Sequence, residues 1–239
     1  MIHVGLLGKA GRMGQWVTRL LEEEFSGRAR LTASIGKGDS LDPLFECDVI
    51  IDFSLPEAAA AAVEVSMKAK RTKPAWVIGS TGWTAAQRES LEKLANVTPV
   101  LMSSNFSTGV LALAEILDQA SPLLKKLGYT PVLVDTHHRH KKDSPSGTAL
   151  MLQKVISPAS PSSVQTQSVR AGEIVGDHEV TFYGPGDHLT LGHFAQDRSV
   201  FARGAIEAAL WLVERRSNLS ATGEILGMTT FFREKFLGS

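Results

Sequence analysis

Six consecutive residues, His137 to Lys142, hold three imidazoles, two lysines and one arginine. The bias is local, because 25 Lys+Arg balance 25 Asp+Glu over the 239 residues. Histidine is the side chain whose unperturbed pKa lies closest to neutrality, so His137, His138 and His140 are candidate proton donors. An apolar run, residues 131–134, leads into the cluster, and Ser146, Gly147 and Thr148 lead out into a helix-like segment. A helix start offers unpaired N–H groups to a carboxylate. Strand, basic loop and helix start together suit a small dianionic ligand and a proton donor.

Other chemistries compete for the same residues. Most basic clusters are solvated loops, and some bind phosphate backbones. A nucleic-acid patch needs only Lys and Arg, and a near-zero net charge steers no polyanion. The three histidines are too crowded on an extended backbone to share one metal, and the flanking cations oppose it. No metal is expected. The lone Cys47 lies far away and reads as a small buried apolar residue. Lys142 and Asp143 read as an exposed ion pair of little energetic weight.

The elements that position this cluster follow from pattern. Composition is ordinary for a folded protein, 43% hydrophobic and 21% charged,. One cysteine excludes an internal disulfide, and the N-terminus lacks the apolar core of a signal peptide. No apolar stretch approaches the roughly 20 residues that span a bilayer. The expected setting is the cytoplasm, with no membrane or nucleic-acid partner.

Residues 2–7 form an apolar run, followed by glycines at 8, 11 and 14 and an amphipathic segment to about Glu24. Strand, glycine turn and helix make a pyrophosphate-binding pattern. Further strands are predicted at 30–35, 49–53, 75–78 and 100–102, with helices from Pro56 and over about 84–95. Alternating strands and helices mean a doubly wound, Rossmann-like parallel sheet. Small polar residues recur at strand ends: 52–54, 79–82 and 103–106. In such sheets ligands bind at that edge.

From about Ser107 the character changes. A helix toward Lys126 precedes a strand at 130–135 and the basic loop. Strand-like runs at 164–171, 178–184 and 188–195 follow, the last two flanking Gly184–Asp187, a hairpin-type turn. A helix over about 200–215 carries Ile206, Leu210 and Val213 on one stripe. The expected organisation is a dinucleotide-binding domain, residues 1–106 completed by 204–239, and a second α+β domain, residues 107–203. That domain would carry a mixed sheet with one open face for subunit contact.

Several motifs resemble one family. They are Gly-Arg-Met-Gly at 11–14, Asp-Phe-Ser-x-Pro at 52–56, Gly-Ser-Thr-Gly at 79–82 and Ser-Asn-Phe-Ser at 104–107. His-His-Arg-His-Lys at 137–141, Pro-Ser-Gly-Thr-Ala at 145–149 and Arg-Ala-Gly-Glu-Ile-Val-Gly-Asp-His at 170–178 join them. The chain is similar to the 4-hydroxy-tetrahydrodipicolinate (dihydrodipicolinate) reductases from Ile2 to about Trp211. The resemblance implies NAD(P)H-dependent reduction of a cyclic dicarboxylate in the diaminopimelate route to lysine, by a homotetramer. It implies His137 as acid/base and Lys141 as second catalytic residue, with His138, Gly147 and Thr148 binding substrate. Gly8, Lys9, Ala10, Gly11, Arg12 and Met13 would bind cofactor, with Gly79, Ser80, Thr81, Ser103, Ser104, Asn105 and Phe106.

Two departures stand out. The acid that many members carry at the end of strand two is replaced by Gly36, with Lys37 beside it and Asp39 displaced downstream. Lys37 and Arg12 can reach a phosphate, so both cofactors are expected to work, with NADPH favoured. The segment before Arg170 is also shorter than in many members. The competing readings are another two-domain nicotinamide oxidoreductase, of the aspartate- or sugar-dehydrogenase type, and a non-enzymatic cofactor-sensing or nucleic-acid-binding protein.

Overall fold

The computed structural model describes residues 1–69, 73–216 and 223–238. They form two compact units, one from residues 1–106 and 199–239, the other from residues 107–198. Residues 217–222 and 239 of the expected returning tail lie outside the described residues. Among the described residues, no helix is long and apolar enough to cross a membrane.

The first unit opens with β1 (Ile2–Leu7), α1 (Arg12–Glu23), β2 (Ala29–Ile35) and β3 (Val49–Asp52). Next come α2 (Pro56–Lys68), β4 (Ala75–Ile78), α3 (Ala85–Ala95) and β5 (Val100–Met102). Every residue of β3 and β4 is buried, as expected of strands covered on both faces,. Helix α1 buries Val17, Leu20 and Leu21, one stripe at helical spacing,. Helix α2 starts on Pro56, whose missing N–H costs nothing at that position,. Helix α3 starts at a capping box, Thr84 with Gln87,. Cys47 is buried in the core, and burial pushes its thiol up to about 11, so it behaves as an inert small residue,.

The second unit runs α4 (Thr108–Lys126), β6 (Thr130–His137), α5 (Gly147–Ile156), β7 (Gln165–Arg170), β8 (Asp177–Tyr183) and β9 (His188–Phe194). Its sheet order is β7-β6-β8-β9, parallel between β6 and β7 and antiparallel elsewhere. This is the expected mixed sheet. Leu113, Leu117 and Leu124 of α4 and Ala149, Leu152 and Ile156 of α5 pack with Leu133, Val180 and Phe182 of the sheet. By strand alternation Val132, Val134 and Thr136 take the other face, where Val169, Tyr183 and Phe194 are exposed,.

The chain re-enters the first unit through α6 (Ser199–Arg216), then β10 (Ile225–Leu226) and α7 (Met228–Phe232). The return begins at Ser199 instead of Gly204, because α6 is one unbroken helix. Its buried residues go beyond a single stripe: Ala202, Ala205, Ile206, Ala208, Ala209, Leu210 and Leu212 are all buried, while Val213 is half-buried. The completed sheet has the order β10-β5-β4-β3-β1-β2, all parallel. The order reverses between β1 and β3, the place at the strands' carboxyl ends where such sheets bind ligands,.

Candidate active site

One candidate site lies at that reversal, within the first unit. Gly8 takes a left-handed conformation, φ 100°, and a Cβ there would meet the Phe53 carbonyl at 2.7 Å. A Cβ on Gly14 would come 2.3 Å from the Gly8 carbonyl oxygen. The turn is therefore compact and keeps side chains out of the space before α1. Helix α1 begins after Gly11 with no side-chain cap, whereas α3, α4 and α5 are capped by Thr84, Ser107 and Ser146. The open N–H groups, with the dipole behind them, fit a pyrophosphate. Lys9, Ala10, Gly11 and Arg12 are exposed around the turn, and Met13 is half-buried.

The other strand ends are tied together. Asp52, at the end of β3, is fully buried and accepts hydrogen bonds from the Ser54 N–H at 2.9 Å and from the Ser54 and Ser80 hydroxyls. Burial pushes its carboxyl above the usual range, against the lowering effect of those bonds. The rings of Phe53 and Phe106 meet edge-on at 5.5 Å. So 52–54, 79–82 and 103–106 do share one edge, but some of these side chains turn inward. Ser80 is held by Asp52 and buried, and Phe106 is 2% exposed in the core. Gly79 lies so close to the Phe53 ring that a Cβ would sit 2.3 Å from it. The Ser103 hydroxyl donates to the Asn105 carbonyl at 2.6 Å. Thr81 and Ser104 remain exposed, and Asn105 is half-buried.

At the end of β2 the missing acid is supplied from three residues downstream. Asp39 Oδ2 accepts the Gly36 N–H at 2.8 Å and the Lys9 ammonium at 2.6 Å. The Lys9 contact and then the Gly36 bond hold the Asp39 carboxyl below its ordinary range. Lys37 is exposed beside them.

The second unit carries a polar cluster of its own. His137 is not in a loop: β6 continues two residues beyond the expected end, and His137 is its last residue, 8% exposed. Two positions back on the same face, Asp135 is fully buried,. Its Oδ1 lies 3.0 Å from His137 Nδ1, whose N–H is not aligned for a hydrogen bond, and 3.4 Å from His178 Nε2. It also accepts the Ser146 hydroxyl at 2.7 Å, while Oδ2 accepts the Ser146 N–H at 3.0 Å and Arg170 Nη2 at 3.0 Å. Burial alone would raise the Asp135 carboxyl; the His137, His178 and Ser146 contacts outweigh it and hold it far below the carboxylate range. The imidazoles of His137 and His178 meet edge-on at 5.2 Å.

Asp135, His137 and His178 offer three potential ligand atoms within 4.8 Å of one another. The Arg170 guanidinium on the same carboxylate opposes a cation there, so the donor set suits a hydrogen-bonded cluster.

After His137 the chain turns, with the Lys141 N–H on the His138 carbonyl at 3.1 Å. Lys141 is half-buried, and its Nζ lies 3.0 Å from Asp143 Oδ1. The ion pair thus belongs to Lys141 and not to Lys142, which is exposed. A two-residue separation across the turn brings the side chains together where adjacent residues diverge. Ser146 caps α5 by accepting the Ala149 N–H at 3.1 Å, which puts Gly147 and Thr148 at the helix start. His138 is half-buried and His140 exposed, their rings 6.3 Å apart.

Arg170, Gly176 and His178 sit in the 170–178 motif, but nothing in the local sequence marks their approach to Asp135 and His137. A Cβ on Gly176 would come 3.0 Å from His137 Nε2, so only glycine leaves that imidazole its place.

Residues 2–106 match the family model described as dihydrodipicolinate reductase, N-terminus, and residues 109–228 match dihydrodipicolinate reductase, C-terminus. The 4-hydroxy-tetrahydrodipicolinate reductase of Sulfurovum sp. (strain NBC37-1) is 35% identical, covering 95% of this chain and 100% of that protein. Its counterpart from Zymomonas mobilis is 34% identical, covering 95% and 98%. Among solved structures, dipicolinate-bound dihydrodipicolinate reductase from Paenisporosarcina sp. TG-14 shares the fold, with a TM-score of 0.73 at 20% identity over 95% of this chain and 97% of that one. Apo scyllo-inositol dehydrogenase from Lactobacillus casei shares it more distantly, at a TM-score of 0.53 and 11% identity over 91% and 88%. The sugar-dehydrogenase alternative therefore goes no further than fold, and both halves of the chain belong to the dihydrodipicolinate reductase family.

Proposed function

We propose that this chain reduces 4-hydroxy-tetrahydrodipicolinate to tetrahydrodipicolinate, using NADPH or NADH, in diaminopimelate and lysine biosynthesis. The observation that carries this reading is His137 at the end of β6, backed by a buried carboxylate that also holds the start of α5. Gly147, Thr148, Lys141 and His138 would receive the substrate's carboxylates. Gly8–Met13 would hold the pyrophosphate, with 79–81 and 103–105 along the same sheet edge.

A reduced nicotinamide, when bound, supplies a hydride. In the balanced reaction the substrate hydroxyl leaves as water with a proton from the adjacent ring carbon, which forms a C=C bond conjugated with the C=N bond; hydride adds to the carbon that lost the hydroxyl, and the resulting enamine takes a proton at the adjacent carbon. His137 is the proposed proton donor, and Lys141 neutralises a carboxylate beside it. The test is a coupled assay with freshly generated substrate, following NAD(P)H absorbance. No substrate-dependent oxidation of either cofactor would overturn the proposal.

Use of both cofactors, with NADPH favoured, is supported by the Lys9 ammonium on the Asp39 carboxylate and by the exposed Arg12 and Lys37, near in sequence to Lys9 and Asp39 respectively. Assembly into a homotetramer is supported by the helix-free sheet face that exposes Val169, Tyr183 and Phe194; sedimentation would measure it,. A cytoplasmic setting fits the single free cysteine,.

A further inference from the structure

We propose that Asp135 is a positioning residue that sets both the proton donor and the carboxylate-binding helix start of this reaction. The inference rests on the function proposed above. Asp135 and His137 share one face of β6, and His178 stands directly opposite Asp135 in the antiparallel register,. Arg170 pairs with His137 on the parallel side. Strands β6, β7 and β8 and the cap of α5 thus send polar groups to one carboxylate.

The carboxylate has two arms. Through Oδ1 it lies 3.0 Å from His137 Nδ1. Nδ1 is buried against that carboxylate, so Nε2 is the atom left to exchange a proton with a ligand. Through Ser146, which donates to Asp135 and accepts from Ala149, it fixes the first turn of α5 and hence Gly147 and Thr148. One rigid group therefore sets the spacing between the donor and the helix start. Burying a charge among His137, Ser146, Arg170 and His178 does not serve stability best, since apolar packing of similar volume is often as stable,. The expense points to function. The charged or titratable groups shown facing His137 are Asp135 on its own strand, Arg170 paired with it on β7 and His178 on β8, which in turn pairs with His193 on β9.

The two arms separate experimentally in the full-length chain. Asp135→Asn keeps an acceptor for the Ser146 and Arg170 N–H groups but presents an amide to His137. It should lower kcat about 10- to 100-fold with little change in KM. It should also change the kcat–pH profile, because the carboxylate charge beside the imidazole is gone. Asp135→Glu should recover part of kcat. Ser146→Ala should instead raise KM and the dissociation constant of dipicolinate about fivefold, the size of a lost helix cap, with kcat within twofold.

Nitrogen-15 shifts of His137 report the arm independently of turnover: the wild type should carry its proton on Nδ1, and Asp135→Asn on Nε2. A wild type inactive on the substrate defeats the proposed function but leaves this readout standing. A folded Asp135→Asn with unchanged kcat, pH profile and His137 shifts overturns the positioning role. If that variant does not fold, Asp135→Glu and Ser146→Ala decide, and equal kcat losses in both, with dipicolinate binding unchanged, overturn it.

Discussion

Lys9 Nζ and Asp39 Oδ2 lie 2.6 Å apart and join the glycine turn after β1 to the loop after β2. Both side chains are about half exposed, so the pair is weak and readily exchanged for a ligand,. A ribose diol can take Asp39, and a ribose phosphate can take Lys9. Asp39→Asn should raise the preference for NADPH. Lys37→Glu should shift the kcat/KM ratio toward NADH about tenfold, the scale of a charge reversal in a partly solvated site. Both variants need measuring at one ionic strength, since salt screens the effect. A wild-type strong preference for NADH would mean that Asp39 serves the diol and Lys9 stays paired.

Replacing His137 with Gln removes the proton donor while keeping a polar side chain at the end of β6. We expect kcat to fall by about two to four orders of magnitude, with KM changing modestly. Steady-state kinetics on the purified variant decide it, and an unchanged kcat would remove His137 from the mechanism.

Lys141 and Lys142 should differ sharply despite adjacency. Lys141 is half-buried and paired with Asp143, whereas Lys142 is exposed. Lys141→Ala should raise KM and lower kcat, and Lys142→Ala should leave both within about twofold, as expected of a surface residue. Equal defects would indicate a diffuse basic patch.

Burial raises the Asp52 carboxyl above its ordinary 3.8. The folded state then holds this proton at pH values where the unfolded chain has released it. Its contribution to stability is therefore greatest below about 4 and declines as pH rises through the folded value. Asp52→Asn should remove that decline. The melting temperature of the variant, relative to wild type, should climb between pH 4 and pH 7. A difference that is flat with pH would show that the Ser54 and Ser80 hydroxyls fully offset burial.

Much of this was legible from local pattern. The glycine turn, the buried strands and the helix caps Thr84 and Ser107 depend on neighbouring residues, and their periods mark them. What escaped was set by distant partners. Strand β6 runs on to His137 because β7 and β8 flank it there, and that pairing has no local sign. The role of Asp135 depends on Arg170 and His178, 35 and 43 positions later. Asp39 reaches the end of β2 only because the loop folds back onto the Gly36 N–H. The inward turn of Ser80 likewise reflects Asp52, 28 residues earlier.

The path of the chain has a consequence for its synthesis. The second unit is one continuous segment, complete once residue 198 has been made, whereas the first needs α6 and β10 from the far end. Helix α6 packs on α1, β3 and β4. Until it emerges from the ribosome, part of the apolar surface of the first sheet stays uncovered, although its first five strands were translated earliest. The later-encoded unit should thus become protease-resistant first. Pulse proteolysis of chains stalled at residue 198 plus a tunnel-length spacer should yield a protected fragment from 107–198 and a digested N-terminal segment.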